Sequence, residues 1–208
     1  MHKNAAFFKL GLLPAILIFI MIAFEPPGIS LPSLCAAAIH ECGHLAAAGM
    51  LGISLRSLDI GPLGATIHTR SLLISYGSEI LLCAAGPIAN IFCACATYLL
   101  FGTTKSFLGG KAAFGFFAVS LFLGVLNLLP IEGFDGGRIL SAVIGRAAGP
   151  RVAAGVVSVM SVLSLILLWM LSVYLLLRWG ASLSLFIFAA SVFCRVFIEG
   201  DDTRAHGK

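Results

Sequence analysis

Long runs of apolar residues dominate this chain, and short stretches rich in glycine, proline or charge separate them. A membrane-spanning α-helix needs about 20 mainly apolar residues to cross the hydrocarbon core. The pattern therefore predicts an all-α polytopic membrane protein of about six transmembrane helices. We place the helices at residues 10–24, 31–51, 78–101, 112–129, 152–177 and 181–198, with a short polar tail at residues 199–208.

Residues 52–77 have a different pattern. Apolar and polar residues alternate from 53 to 60, and Gly61-Pro62 with Gly64 provides a turn signal. Alternation with a period of two is typical of a β-strand. We predict a small β-hairpin at the membrane surface between the second and third helices, with an irregular loop as the alternative.

Composition supports the membrane assignment. Hydrophobic residues make up 60% of the chain, charged residues 11%, and the mean hydropathy is +1.07. A soluble domain carries about 25% charged residues. We expect one membrane-embedded domain over residues 1–208, with a catalytic core at about 31–145. The net charge of +4 is scattered among loops, so it predicts no nucleic-acid partner. The six cysteines lie in apolar stretches and are expected to be buried, reduced thiols.

The 13 basic residues indicate the orientation. With six helices, ten lie on the side of the two termini: Lys3, Lys9, Arg56, Arg70, Arg138, Arg146, Arg151, Arg195, Arg204 and Lys208. Three lie on the opposite side: Lys105, Lys111 and Arg178. Lysine and arginine are enriched in cytoplasmic loops. We therefore predict a multi-pass cell-membrane protein with both termini in the cytoplasm.

The second predicted helix carries the sequence His40-Glu41-x-x-His44. Histidines four residues apart lie on one face of a helix, where two imidazoles can bind one metal ion. The pattern is the signature of zinc metalloproteases, in which the glutamate acts on a water. Ionisable groups inside a membrane helix cost about 2.5–3.5 kcal/mol each on insertion scales and usually mark a functional site.

A catalytic zinc site needs a third protein ligand and an open position for water. The candidates are the remaining acids and imidazoles near membrane helices: Glu25, Asp59, His68, Glu79, Glu132 and Asp135. Asp135 is preferred because Pro130 and several glycines interrupt the apolar run around it. Irregular backbone at membrane depth is tolerated only where it is buried in protein or lines a cavity. The alternative for Asp135 is the cap of a helix that begins near Gly137.

Three motifs together resemble the site-2 protease family of intramembrane metalloproteases. They occur in the family's order within about residues 36–141: His40-Glu41-x-x-His44, Gly86-Pro87-x-x-Asn90 and Asn127-x-x-Pro130-x-x-x-x-Asp135-Gly136. The compact layout is similar to the bacterial branch that includes the sporulation sigma-factor-processing protease. The resemblance implies that His40, His44 and Asp135 bind Zn²⁺ and that Glu41 is the general base.

Two asparagines of these motifs have other expected roles. Asn127 is assigned to oxyanion stabilisation or substrate positioning, with helix packing as the alternative. For Asn90 we expect a structural hydrogen bond between helices.

The expected reaction is hydrolysis of a peptide bond in a transmembrane or membrane-associated substrate, and a regulatory membrane partner is compatible with the family. An exposed edge of the predicted hairpin could bind an unwound substrate as an added strand. Alternatives are an inactive scaffold of the same fold and a metal-binding or transport protein. A fourth hypothesis is a prenyl-protein processing enzyme, in which a glutamate such as Glu132 would be the third ligand.

Overall fold

A computed structural model of the chain describes residues 7–10, 27–53, 55–61, 64–69, 74–101 and 107–179. The chain divides into two compact units, one ending at residue 128 and the other beginning at residue 129. The first contains β1 (Phe7–Leu10), α1 (Pro27–Met50), β2 (Leu55–Gly61), β3 (Gly64–Thr69), α2 (Tyr76–Phe101) and α3 (Phe107–Asn127). The second contains α4 (Asp135–Ala148) and α5 (Pro150–Trp179).

Helix α1 buries one narrow stripe of residues. Every fourth position from 32 to 48 is buried: Pro32, Ala36, His40, His44 and Ala48. Residues four apart form a continuous ridge along one side of a helix. The alanines on either side of the histidines are small, so neighbouring backbones can approach this ridge closely.

Helices α1, α2 and α3 pack against one another in the first unit. A Cβ atom added at Gly43 of α1 would lie 2.6 Å from the carbonyl oxygen of Ala85 in α2. One added at Gly124 of α3 would lie 3.0 Å from Ile91 Cγ1 and 3.1 Å from the carbonyl oxygen of Pro87. Both glycines therefore allow their helices to approach the middle of α2 more closely than a side chain would permit.

The described strands form a sheet in the order β1-β2-β3. Strand β1 pairs in parallel with β2, and β2 pairs antiparallel with β3, with an irregularity between Leu55 and Ser57. The β2–β3 pair lies where the sequence predicts a hairpin, whereas β1 was not predicted. The position of this hairpin at a membrane surface stays a prediction.

The second unit begins with a turn that leads into α4. The amide of Ile131 donates to the carbonyl of Leu129 at 2.8 Å, and the amide of Phe134 donates to the carbonyl of Ile131 at 3.0 Å. A Cβ atom added at Gly137 would overlap the carbonyl oxygen of Ile131. The first turn of α4 thus packs directly on the backbone of the preceding turn, and only glycine fits at residue 137.

Four of the six predicted transmembrane segments have a helix in the described structure, namely α1, α2, α3 and α5. The predicted helix at 10–24 begins at Leu10, which belongs to β1, and its remainder lies outside the described residues, as do 181–198 and 199–208. The predicted second helix was wrong at its start, because α1 begins at Pro27, four residues before residue 31. Proline suits the first position of a helix, where the missing amide hydrogen has no partner. A helix beginning near Gly137 was only the alternative considered for Asp135, and α4 begins two residues earlier, at Asp135.

Within the described part of the chain, two helical stretches are long and apolar enough to cross a membrane, Tyr76–Phe101 and Pro150–Tyr174. The exposed face of α2 includes the large apolar side chains of Leu81, Ile88 and Phe92. Large apolar side chains on an outer face are typical of helices that contact lipid. The full layout of six spans stays a prediction.

Candidate metal centre

The two histidines of α1 direct the same ring nitrogen to one point. His40 Nε2 and His44 Nε2 are 3.1 Å apart, and the rings meet edge to face at an interplanar angle of 84°. Two nitrogens bound to one tetrahedral zinc ion at ~2.0–2.1 Å would be about 3.3–3.4 Å apart. The separation observed here is about 0.2–0.3 Å shorter than that value.

The outer nitrogen of each histidine contacts α2. His44 Nδ1 lies 2.8 Å from the carbonyl oxygen of Leu82, which can only accept a hydrogen bond. The hydrogen of His44 is therefore on Nδ1, and its Nε2 has a lone pair available. His40 Nδ1 lies 3.3 Å from Asn90 Nδ2. Such contacts fix the orientation of an imidazole ring before it binds a metal.

Gly86 leaves space for both imidazole rings. A Cβ atom added at Gly86 would overlap His44 Nε2 and would lie 2.9 Å from His40 Cε1. The backbone of α2 thus approaches the histidine pair at a position where even an alanine would displace the rings. This close approach also brings Leu82 and Asn90, one turn before and one turn after Gly86, to the two outer nitrogens.

Asp135 lies in the second unit, whereas the two histidines lie in the first. All three residues are buried. Asp135 is the first residue of α4 and is 9% exposed. Two imidazoles and one carboxylate are a typical donor set of catalytic zinc sites. The residues present therefore fit a zinc ion.

The other residues singled out in the sequence have different surroundings. Glu41 lies between the two histidines on α1 and is half-buried. Asn127 ends α3, where its Nδ2 donates to the carbonyl of Leu123 at 3.0 Å. Glu132 has an exposed side chain, in contrast to Asp135. The assigned roles of Glu41 and Asn127 stay predictions.

The remaining ligand candidates are less informative. Glu79 lies in the first turn of α2. Asp59 and His68 lie in strands, and Glu25 is outside the described residues. Sequence reasoning missed the contacts of Leu82 and Gly86 with the histidines. The signal available was Asn90, a polar residue in an apolar helix, for which we expected only a structural bond between helices.

Comparisons with known proteins bear on this site. The profile of the family described as Peptidase family M50 matches residues 103–171, a region that contains Asn127 and Asp135. Two Mycobacterium tuberculosis proteins, from different strains and both named as the zinc metalloprotease Rip3, are 28% identical over 125 residues. A solved structure of the site-2 protease from Methanocaldococcus jannaschii is similar with a TM-score of 0.66 and 17% identity. These matches confirm the resemblance to the site-2 protease family.

The extent of the matches differs. The structural similarity to the site-2 protease covers 96% of this chain and 93% of the archaeal chain, so nearly the whole fold is shared. The match to Rip3 covers 56% of this chain but 31% of the Rip3 proteins. The chain thus spans about a third of the length of these curated relatives. The site-2 protease family is membrane-embedded, which agrees with the two apolar helices.

Proposed function

We propose that this protein is an intramembrane zinc metalloprotease that hydrolyses a peptide bond in a transmembrane or membrane-associated substrate. The observation that carries the proposal is the pair of buried histidines on α1, whose Nε2 atoms lie 3.1 Å apart. The names of the similar proteins, a zinc metalloprotease and a site-2 protease, support it. Membrane depth and substrate class follow from the apolar helices and from the family resemblance.

His40 and His44 would each hold zinc through Nε2, and Asp135 would hold it through a carboxylate oxygen. When bound, zinc supplies a Lewis acid and lowers the pKa of a water in its open position to about 7. Glu41 follows His40 directly on α1, and its Oε2 atom is buried. In the proposed mechanism its carboxylate accepts the proton of the attacking water and returns it to the leaving amine.

Asn127 is proposed to stabilise the oxyanion or to position the substrate. Its amide nitrogen carries two hydrogens, and the bond to the carbonyl of Leu123 uses one of them. The other hydrogen can donate to a substrate oxygen without loss of the helix-terminal bond. A donor directed at a developing oxyanion contributes about 2.7–4 kcal/mol in other hydrolases.

A substrate in the membrane must be unwound before attack, because a helix hides its carbonyls in internal hydrogen bonds. We propose that an edge of the described sheet binds the unwound segment by strand addition. A regulatory membrane partner is part of the proposal only by analogy with the family. No nucleic acid is expected as a partner.

The test of the proposed function is Glu41→Gln. We expect cleavage to fall by about 10²–10⁴-fold, the usual contribution of a general base, while zinc content stays that of the unmodified chain. The assay uses detergent-purified protein, single-span peptides with a fluorophore at each end, and mass spectrometry of the products. Zinc is measured by elemental analysis of the same samples.

Chelation provides a second arm of this test. Treatment with 1,10-phenanthroline should abolish cleavage, and added zinc should restore it. Zinc uptake without cleavage of any peptide by the unmodified chain would favour a metal-binding or transport function. Near-normal turnover by the glutamine variant would show that Glu41 is not the base.

The proposed orientation places both termini in the cytoplasm. In a background without cysteine, a cysteine at Ser57 should react with an impermeant maleimide only from the cytoplasmic side. A cysteine at Ser106 should react only from the outside. Both positions lie in connections between predicted spans, so the change should leave folding intact. The reverse pattern would overturn the orientation and the expectation that products are released into the cytoplasm.

A further inference from the structure

The contact of Asn90 with His40 links a buried amide to a ligand of the proposed site. Asn90 lies in the middle of α2 and has no exposed surface. Its Nδ2 is 3.3 Å from His40 Nδ1, and its Oδ1 is buried without a hydrogen-bond partner among the described residues. A buried acceptor without a hydrogen-bond partner destabilises a folded protein. The amide therefore has a second hydrogen-bonding group that its present orientation does not use.

The three contacts fit one pattern of hydrogens in which each contact has one donor and one acceptor. Asn90 Nδ2–H donates to His40 Nδ1, so the hydrogen of a neutral His40 is on Nε2. That Nε2–H donates to His44 Nε2 at 3.1 Å, and His44 Nδ1–H donates to the carbonyl of Leu82. In this pattern Nε2 of His40 carries a hydrogen and cannot bind a metal.

The same contacts fit a second pattern when the amide of Asn90 is turned by about 180°. An amide presents an acceptor and a donor at nearly equivalent positions, so Oδ1 then replaces Nδ2 beside the ring. His40 Nδ1–H donates to Oδ1, and Nε2 of His40 presents a lone pair. The two Nε2 lone pairs, 3.1 Å apart, can then both be directed at one cation.

We propose that Asn90 is a positioning residue whose amide turns when metal binds and thereby selects the ligand tautomer of His40. The inference rests on the metal site of the proposed function. Metal ligation through Nε2 requires the second pattern, in which the Asn90 carbonyl holds the hydrogen on Nδ1. His44 needs no such change, because Leu82 holds its hydrogen on Nδ1 in both patterns. The two histidines of one motif are thus supported differently, one by a fixed acceptor and one by a reversible amide.

The first test needs no substitution. Chain labelled with ¹⁵N-histidine is stripped of metal with dipicolinate in detergent micelles, and its tautomers are read from long-range ¹H–¹⁵N correlations before and after addition of Zn²⁺. We expect His40 to change from the Nε2–H to the Nδ1–H form, while His44 keeps its Nδ1–H form. A His40 ring that already has its hydrogen on Nδ1 before zinc is added would overturn the proposal.

The second test uses substitutions that separate donor from acceptor. Asn90→Ala removes both groups and should weaken zinc affinity by about 10- to 100-fold, the range seen when a partner of a metal-binding histidine is lost. Asn90→Asp keeps only the acceptor when ionised, so its zinc affinity should be no weaker than that of the unmodified chain. Thr97→Ala is the control, because Thr97 lies on the same helix and bonds only to the carbonyl of Cys93 among the contacts described.

Each outcome of the affinity test decides the matter. Unchanged zinc affinity in Asn90→Ala, or an aspartate variant as weak as the alanine variant, would overturn the proposal. Circular dichroism shows whether the variants fold. If they do not fold, the tautomer measurement on the unmodified chain tests the proposal by itself. If zinc affinity depends on Asn90 but no peptide is cleaved, the proposed function is contradicted and this inference stands. If peptides are cleaved but zinc affinity does not depend on Asn90, the proposed function stands and this inference is overturned.

Discussion

The region around the histidine pair and the region around Asp135 hold their residues by different means. His40 and His44 lie on a long helix, and side-chain contacts with a neighbouring helix fix their rings. Asp135 is the first residue of a short helix, and backbone hydrogen bonds of the preceding turn fix its position. Histidine geometry therefore depends on how closely helices pack, whereas aspartate geometry depends on a single turn.

The glycines of the two regions show the same difference. Gly86 leaves room for side chains, because a Cβ atom there would strike the imidazole rings. Gly137 leaves room for backbone, because a Cβ atom there would strike the carbonyl of Ile131. The steric clash of a methyl group added at Gly86 can be relieved by movement of the imidazole rings. The clash of one added at Gly137 can be relieved only by movement of the helix. Substitutions should thus affect the first region through metal geometry and the second through folding of the turn.

The largest effect is expected when a proposed ligand is removed. Asp135→Ala should weaken zinc affinity by more than about 100-fold, beyond the effect typical of residues that only support a ligand. His40→Ala and His44→Ala should do the same. Zinc content and competition with a chelating dye are the measurements.

Glu132→Ala is the control for Asp135→Ala. Glu132 is an acid three residues away whose side chain is exposed, so its loss should leave zinc binding unchanged. If the Asp135 variant keeps full zinc occupancy and the Glu132 variant loses its zinc, the third ligand is Glu132 and not Asp135. That result would favour the prenyl-protein processing class over the site-2 protease family.

A smaller loss is expected from Gly86→Ala. Overpacking a well-packed interior costs about 1–3 kcal/mol, which corresponds to about 5- to 150-fold if it acts entirely on the ligand geometry. Zinc affinity should fall within this range, with little change in helix content by circular dichroism. Gly155→Ala is the matched control, because Gly155 is also inside a helix and an added Cβ there meets nothing within 4 Å. An equal zinc affinity in both variants would show that α2 does not approach the rings as described.

The parts that could be predicted from the sequence are those that depend on helix periodicity. His40 and His44 are four residues apart, and that spacing alone places them on the buried ridge of α1. Long apolar runs likewise predicted α1, α2, α3 and α5, with ends within five residues of the observed ones. Local spacing decides these features because a helix has one fixed geometry.

What could not be predicted depends on which backbones approach one another. No local pattern shows that Leu82 accepts from His44 or that Gly86 faces the rings, since both contacts join α1 to α2. The α4 helix was considered only as an alternative because Gly136 and Gly137 look like a continuation of the break, whereas Gly137 in fact allows the helix to pack on Ile131. Strand β1 was missed because its four residues precede an apolar run and pair with a distant strand.

The smallest effect is expected from Ser161→Ala, which tests the turn before Asp135. Ser161 of α5 is fully buried. Its Oγ accepts a hydrogen bond from the amide of Glu132 at 2.7 Å and donates one to the carbonyl oxygen of Val157, also at 2.7 Å. The alanine variant leaves the Glu132 amide without this acceptor. Zinc affinity should weaken about fivefold, equivalent to roughly 1 kcal/mol, and hydrogen exchange at that amide should speed up.

Ser164→Ala, at a buried serine on the same helix, should change neither quantity. Faster exchange with unchanged zinc affinity would mean that the turn can loosen without moving Asp135, and the contrast drawn between the two regions would then be wrong.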